Sequence, residues 1–157
     1  MKYARLSKEQ FEELRQEFIN FLATQSISAK EWEEIKQQKP EAAEEELDVF
    51  SDLIWEGVLE QVTYLEHFSP NQMYLFHVSQ EEIDLIAVTV ENKAIDITTR
   101  EGYQWLQKNI MEDSVNLFTS TKAISAERNK DIFALIQQGA VITKGELFEY
   151  FDLIVNT

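Results

Sequence analysis

Apolar residues recur every three or four positions through the first third of the chain, which is the spacing of an amphipathic helix. In LSKEQFEELRQEFINFLAT these positions are Phe11, Leu14, Phe18, Phe21 and Leu22. Ser7 and Gln10 have the spacing of a capping box, so the pattern predicts a helix from Ser7 to Thr24. A second capping box, Ser28 with Glu31, predicts a shorter helix. That helix ends before Pro40, because the residue ahead of a proline avoids the α region.

The segment KPEAAEEELDVFSDLIWEGVLEQ gives the clearest helical pattern. One half of its helical wheel carries Ala42, Ala43, Leu47, Val49, Phe50, Leu53, Ile54, Gly57 and Val58, which we expect to face the core. The opposite half carries an acidic row within an arc of roughly 80°. The acidic row consists of Glu41, Glu45, Asp48, Asp52 and Glu56. Trp55 and Leu59 fall on the same arc, so either a second element covers the helix there or an aromatic patch is exposed beside the acids.

From Gln61 onward the apolar pattern changes to one rich in β-branched and aromatic residues. The segments VTYLEHF, MYLFHV and EIDLIAVTV, separated by SPNQ and SQE, predict an antiparallel meander at about 62–68, 73–78 and 82–90. Ser79 and Glu82 also have capping-box spacing, so a helix is the alternative for the third segment. Ile86 and Val88 favour a strand.

The last third of the chain predicts three more helices. Thr98 caps the first, in TTREGYQWLQKNI, and Gly139 ends the second, in SAERNKDIFALIQQG. In GAVITKGELFEYFDLIV a strand leads into the third, with Thr143 and Glu146 as its capping box. SVNLF is a candidate short strand. We therefore expect an α+β fold over a single domain, 1–157, with N-terminal helices, a central three-stranded meander (about 62–90) and C-terminal helices packed on one face of the sheet.

Composition narrows the class of protein. Apolar residues make up 44% of the chain, which is enough to build a core and excludes a disordered chain. The absence of cysteine excludes disulfides, thiolate metal sites and cysteine nucleophiles. No apolar run approaches the ~18 residues of a membrane span. The first residues lack the apolar run of a signal peptide, so we expect a cytoplasmic protein without a membrane partner.

The net charge of −15 is concentrated in the middle of the chain. Residues 40–92 contain thirteen Asp and Glu but no Lys or Arg. Such a surface repels nucleic acid and anionic membranes and attracts basic partners. The acidic row is accordingly either a solvated helix face or a docking surface for a basic protein. In the second case Glu41, Glu45, Asp48, Asp52, Trp55 and Glu56 are the candidate partner-binding residues.

Both histidines lie in one predicted hairpin, EHFSPNQMYLFHVS. If Pro70 and Asn71 form a two-residue turn, His67 faces Tyr74 and His77 points to the opposite face, whereas an odd-numbered loop brings both histidines to one face. No zinc-type spacing such as H-E-x-x-H is present, and GAVITKG lacks the Gly-Lys order of a phosphate-binding loop, so we expect no metal and no cofactor. Tyr64, His67, Tyr74 and His77 are the candidate lining of a pocket between the meander and the C-terminal helices.

The segments ELDVFSDLIWEGVLEQVTYLEHFSPNQMYLFHV and GAVITKGELFEYFDLIV resemble an uncharacterised bacterial family of small stand-alone acidic proteins of unknown function. The resemblance implies a single cytoplasmic domain and supplies no active-site residues. The sequence thus favours a non-enzymatic interaction module that presents residues 40–92 to a basic partner. The alternatives are a small-ligand-binding protein or enzyme that uses the hairpin pocket, and a homodimer joined through Trp55, Leu59 or the final helix.

Overall fold

The computed structural model describes residues 1–156. The chain forms two compact units. The first, Met1–Glu60, contains only helices, and we call it the helical unit. The second begins at Gln61 and is built on a β-sheet, and we call it the sheet unit. Within residues 1–156, no helix is long and apolar enough to cross a membrane.

The helical unit holds four helices. They are α1 (Lys8–Glu13), α2 (Arg15–Thr24), α3 (Ala29–Gln38) and α4 (Pro40–Glu60). The predicted first helix is interrupted at Leu14, but the hydrogen-bond ladder runs through it, since Leu14 N donates to Gln10 O and Phe18 N to Leu14 O. Both predicted N-caps are present. The Ser7 capping box is complete, and the Ser28 side chain accepts from Glu31 N.

The prediction of which half of α4 faces the core is only partly correct. Ala43 and Phe50 are buried, as predicted, but Val49 and Leu53 are about half exposed. The buried side of the helix is rotated toward Ser51, which is fully buried although it is polar. The rotation has a local cause, because the N-terminal segment of the chain lies along the acidic side of α4 and covers it.

The sheet unit is α+β, as predicted, but its sheet has five strands instead of three. They are β1 (Tyr64–Ser69), β2 (Gln72–Val78), β3 (Glu82–Val90), β4 (Val115–Ala123) and β5 (Val141–Thr143). The order is β4-β3-β2-β1-β5 and every pairing is antiparallel. The predicted meander forms its centre. The candidate strand SVNLF is the start of β4, and the predicted strand before the last helix is β5, so both extend the sheet at its edges.

Three helices complete the sheet unit: α5 (Arg100–Lys108), α6 (Arg128–Gln137) and α7 (Glu146–Val155). Leu106 of α5 and Phe148 of α7 share one buried cluster with Met73 and Leu75, so these two helices cover the sheet face that carries Met73 and Leu75. Gly139, just after α6, lies against His67 on the opposite face. The prediction that the C-terminal helices pack on one face is therefore wrong for the end of α6.

The N-caps of two helices in the last third of the chain differ from their predictions. Thr99, not Thr98, caps α5 and accepts from Gly102 N, while the Asp96 side chain bonds Thr98 instead. Gly145, not Thr143, is the N-cap of α7, because Thr143 is engaged as the last residue of β5. Gly139 does end α6, with a φ of 113° that favours glycine.

Candidate functional site

The hairpin β1–β2 separates the two histidines. Ser69 pairs with Gln72 around a two-residue turn, which places His67 opposite Tyr74 and Tyr64 opposite His77. Because the side chains of a strand alternate between faces, Tyr64 and His77 share one face while His67 and Tyr74 share the other. The four candidate pocket residues therefore form two pairs on opposite faces.

The Tyr64–His77 pair lies beneath α7. The two rings stack with centroids 4.8 Å apart, and Phe148 lies 5.6 Å from the His77 ring. His77 Nδ1 is 3.6 Å from Asp84 Oδ2, and the Thr121 hydroxyl donates to the other Asp84 oxygen at 2.8 Å. These contacts follow from the strand register, since His77 pairs with Asp84 and Asp84 pairs with Thr121. The arrangement is a cross-strand polar ladder at the margin of the core.

The surroundings of Tyr64 disfavour its ionisation. Burial raises the pKa of the Tyr64 phenol, and the nearby carboxylates Glu149 and Asp152 raise it further. Tyr64 therefore remains a neutral phenol near pH 7, which suits packing and hydrogen bonding more than proton abstraction.

The His67–Tyr74 pair makes different contacts. Its ring centroids are 6.3 Å apart, and the Tyr74 hydroxyl donates to Gln72 Oε1 at 3.1 Å. A Cβ added at Gly139 would lie 2.9 Å from His67 Nε2, so the backbone after α6 closes over this imidazole. His67 thus packs against backbone and does not meet His77.

A small cavity does lie between the sheet and α7. It has a volume of about 320 Å³ and is lined by Glu66, Thr143, Lys144, Glu146 and Leu147. Neither histidine lines it. Burial raises the pKa of the Glu66 carboxyl above its ordinary value. Within residues 1–156, no three carboxylate or imidazole side chains come close enough together to hold a metal ion.

The acidic row of α4 is engaged by the chain's own N-terminal segment. Asp52 accepts the backbone N–H groups of Lys2 and Tyr3, at 2.7 and 3.0 Å. Glu56 accepts from the Lys2 ammonium at 2.5 Å and from the Tyr3 hydroxyl at 2.6 Å. We call residues 2–6, bound in this way, the N-terminal clasp.

Arg5 completes the clasp. Its guanidinium bonds Asp48 at 2.8 Å and also pairs with Glu44. These carboxylates raise the pKa of Arg5, and the hydrogen bond with Glu56 raises that of Lys2. Of the candidate partner-binding residues, Asp48, Asp52 and Glu56 are thus occupied within the chain, Trp55 is half-buried, and only Glu41 and Glu45 are exposed.

The largest of the cavities described in this chain lies within the helical unit, and none of the predicted site residues lines it. It is an open groove of about 770 Å³. We call it the helical groove. Its apolar lining is Leu6, Phe11, Phe18, Ile19, Leu22, Ile27, Ala29, Trp32 and Leu47, and its charged lining is Arg5, Lys8, Glu12, Arg15, Glu33 and Lys36.

Aromatic rings form the interior of the helical groove. The Phe18 ring meets the Trp32 ring edge-on at 5.2 Å and the Phe11 ring at 5.8 Å. Phe50 lies behind them, 5.0 Å from Phe18. The groove is therefore a concave surface lined by the rings of Phe11, Phe18 and Trp32.

The sequence contained one signal for this groove, on the wheel of the predicted helix from Ser7 to Thr24. Lys8 and Arg15 occupy the same helical stripe as Phe11 and Phe18, so the cations interrupt an apolar face instead of lying opposite it. The groove itself requires α3 to lie alongside α1 and α2, which no local pattern specifies.

The fold defines an α+β protein with a helical unit followed by a five-stranded antiparallel sheet unit. Residues 1–156 match the family described as a family of unknown function (DUF6495), and the chain belongs to that family. No curated protein and no solved structure matches the chain.

Proposed function

We propose that this protein is a non-enzymatic binding protein that holds a small apolar ligand in its helical groove. The observation that carries the proposal is an open, aromatic-lined groove of about 770 Å³ within one unit of the chain. Ligand sites are concave and mostly apolar, with volumes of about 300–1,000 Å³ and a few charged groups that orient the ligand. The helical groove has each of these properties.

The chemistry of the lining supports binding more than catalysis. Among the described residues that line the groove, the ionisable side chains are four bases and two glutamates, and no histidine or hydroxyl group is present. Glu12 and Glu33 are both exposed to solvent. A general base or a nucleophile normally needs an activating partner and a protected setting, and the groove provides neither.

Titration with 1-octanol tests the proposal, because Trp32 lines the groove and reports on it. We expect octanol to shift the tryptophan emission of the full chain and to raise its melting temperature, since a ligand that binds only the folded state stabilises it. Trp32→Phe should remove the emission shift while the melting shift remains, because Trp55 and Trp105 lie outside the lining.

Ile19→Asp gives a sharper test. Ile19 lies in the groove lining and is 44% exposed, so the substitution places a charge in the groove without burying it. It should weaken octanol binding about tenfold or more, as expected when about 1.4 kcal/mol of apolar contact is lost. The matched control is Met111→Asp, which replaces an exposed apolar side chain in the sheet unit. Equal binding by both variants would show that octanol binds elsewhere.

A second candidate function is docking of a basic partner on the acidic side of α4. The observation that favours it is the N-terminal clasp, which shows the arrangement this surface accepts: a segment without helix or strand that carries two cations, Lys2 and Arg5, and whose backbone N–H groups bond Asp52. A partner segment would have to displace the clasp, which is covalently tethered and therefore present at high effective concentration.

A competition experiment tests this second function. A labelled peptide with the sequence of residues 2–6, KYARL, should bind the wild-type chain weakly and bind a Lys2→Glu/Arg5→Glu variant about tenfold more tightly. Adding Asp52→Asn to that variant should abolish the gain. If the peptide binds the opened variant no better than it binds the wild type, the clasp is structural only and this candidate fails.

A further inference from the structure

We propose that the ligand of the helical groove is an amphipathic anion, with an apolar body and a single carboxylate head. This inference rests on the proposed function and names its ligand class. The head lies at the end of the groove formed by Lys8, Arg15 and Lys36, and the apolar body extends toward Leu22 and Ile27.

The two walls of the groove are helical stripes that each carry cations at one end. The first wall is the stripe Lys8, Phe11, Glu12, Arg15, Phe18, Ile19 and Leu22, with steps of three or four residues across α1 and α2. The second wall is Ala29, Trp32, Glu33 and Lys36 of α3. The first half of the first wall, from Lys8 to Arg15, carries both cations together with Phe11 and Glu12, and its second half is apolar, whereas along the second wall Lys36 comes last.

The connection between α2 and α3 brings these cations together. Only residues 25–28 join the two helices, and a loop this short favours an antiparallel pair. In such a pair the start of α2 is level with the end of α3, so we infer that Arg15 and Lys36, which both line the groove, lie toward the same end of it. Leu22 and Ala29 lie at the other end, beside the loop. One end of the groove therefore carries three bases and two acids, Glu12 and Glu33, and has a net positive charge, whereas the other end is apolar.

Fold stability does not account for the cations at this end. Lys8 is the first residue of α1, where the helix dipole disfavours a positive side chain. Neither Lys8 nor Arg15 forms an ion pair within residues 1–156. Arg5, by contrast, pairs with Glu44 and Asp48. Lys36 lies 2.8 Å from Glu33 in an exposed pair. Two cations thus remain available to an incoming anion.

The charge of the whole protein favours a small monoanion over an acidic macromolecule. With a net charge of −15, the chain repels a partner in proportion to the partner's negative charge. A single carboxylate experiences little of that repulsion and gains two close cations. An acidic protein or a nucleic acid brings many charges and only a few of them can reach the groove.

The test compares three probes of equal chain length: octanoate, 1-octanol and octyltrimethylammonium. Each is titrated into the full-length protein at low salt, followed by Trp32 emission and by calorimetry. We expect octanoate to bind up to about tenfold more tightly than octanol, because two exposed cations each contribute up to about 1 kcal/mol. The difference should shrink as salt is added, because exposed charge interactions are screened.

Matched charge variants assign the effect to the cationic end. Lys8→Glu/Arg15→Glu should abolish the preference of the groove for octanoate over octanol. The control Lys30→Glu changes an exposed base of α3 outside the groove and should leave both affinities as in the wild type. A circular dichroism melt of each variant confirms that the helical unit remains folded.

The outcomes separate this inference from the proposed function. If octanol binds as tightly as octanoate, the groove binds apolar ligands but the anionic head is wrong. If the ammonium probe binds more tightly than octanoate, the inference is also overturned, because the groove end then selects cations. If none of the three probes binds, the proposed function itself fails.

Discussion

Ser51→Ala should weaken the attachment of the N-terminal clasp by about 1–3 kcal/mol, the cost of leaving a buried hydrogen-bonding group without a partner. Ser51 is fully buried in α4, where its hydroxyl donates to Leu47 O at 2.7 Å and accepts the Leu6 backbone N–H at 3.1 Å. The substitution removes that acceptor while Leu6 N stays buried. Leu6 also lines the helical groove, so the loss reaches the proposed binding site.

Hydrogen exchange at the Leu6 amide is the direct assay, because it reports local opening of the clasp instead of unfolding of the whole chain. Each 1.4 kcal/mol lost lowers the protection of this amide about tenfold. The matched control is Thr24→Ala, which removes an exposed hydroxyl bonded to Phe21 O at 2.6 Å and orphans no buried N–H. Unchanged protection at Leu6 in Ser51→Ala would show that the hydroxyl does not anchor the clasp, and the reasoning would be wrong.

Three further substitutions test the fold. Gly139→Ala should destabilise the sheet unit by about 1 kcal/mol or more in urea titrations, because the residue has a positive φ and a Cβ there would lie 2.9 Å from His67 Nε2. Gly57→Ala, in α4 with no atom within 4 Å of the new Cβ, should stabilise by about 0.5–1 kcal/mol, and a loss would contradict the helix assignment. Glu66→Gln concerns pH: the folded-state pKa of Glu66 is raised, so the wild type loses stability as pH rises from the ordinary Glu pKa through the folded-state value. The variant should lack this loss in melts from pH 4 to 7, and identical pH profiles would refute the assignment.

Local capping patterns predicted helix starts correctly where nothing else competed for the capping residue. Ser7 and Ser28 both accept the expected backbone N–H groups. Ser79 makes the same local bond from Glu82 N, yet the next element is a strand. Thr143 accepts from Gly145 N instead of capping α7, because its backbone pairs with Tyr64 in the sheet. A capping motif thus describes a local hydrogen bond, and tertiary pairing decides whether a helix or a strand comes after it.

The sheet edges were the least predictable part of the fold. The second half of β4, TSTKA, is polar and exposed, so it lacks the alternation that marks a half-buried strand. Its length is set by its partner, since β4 pairs with β3 from Val115 opposite Val90 to Ala123 opposite Glu82. Edge strands are often polar because charged and polar side chains block further pairing. The sequence left the loop length of the hairpin open, and the two-residue turn seen in the structure fixes the register that separates the histidines.

The acidic row shows why a one-helix pattern could not reveal the candidate site. The wheel of α4 correctly placed Asp48, Asp52 and Glu56 together, but it could not show that Lys2 and Arg5, more than forty residues away, bind them. Half of the fourteen bases lie in residues 1–39, and two of these seven form ion pairs with Asp48 and Glu56 of the acidic row.

Three more of those seven bases line the helical groove: Lys8, Arg15 and Lys36. Residues 40–92 therefore lack bases partly because the bases are concentrated in residues 1–39. There they bind the acidic row and line the helical groove. If the bases of the helical unit served solubility alone, they would lie opposite its apolar stripe, as on an ordinary amphipathic helix. Lys8 and Arg15 lie on that stripe, so they meet whatever occupies the groove.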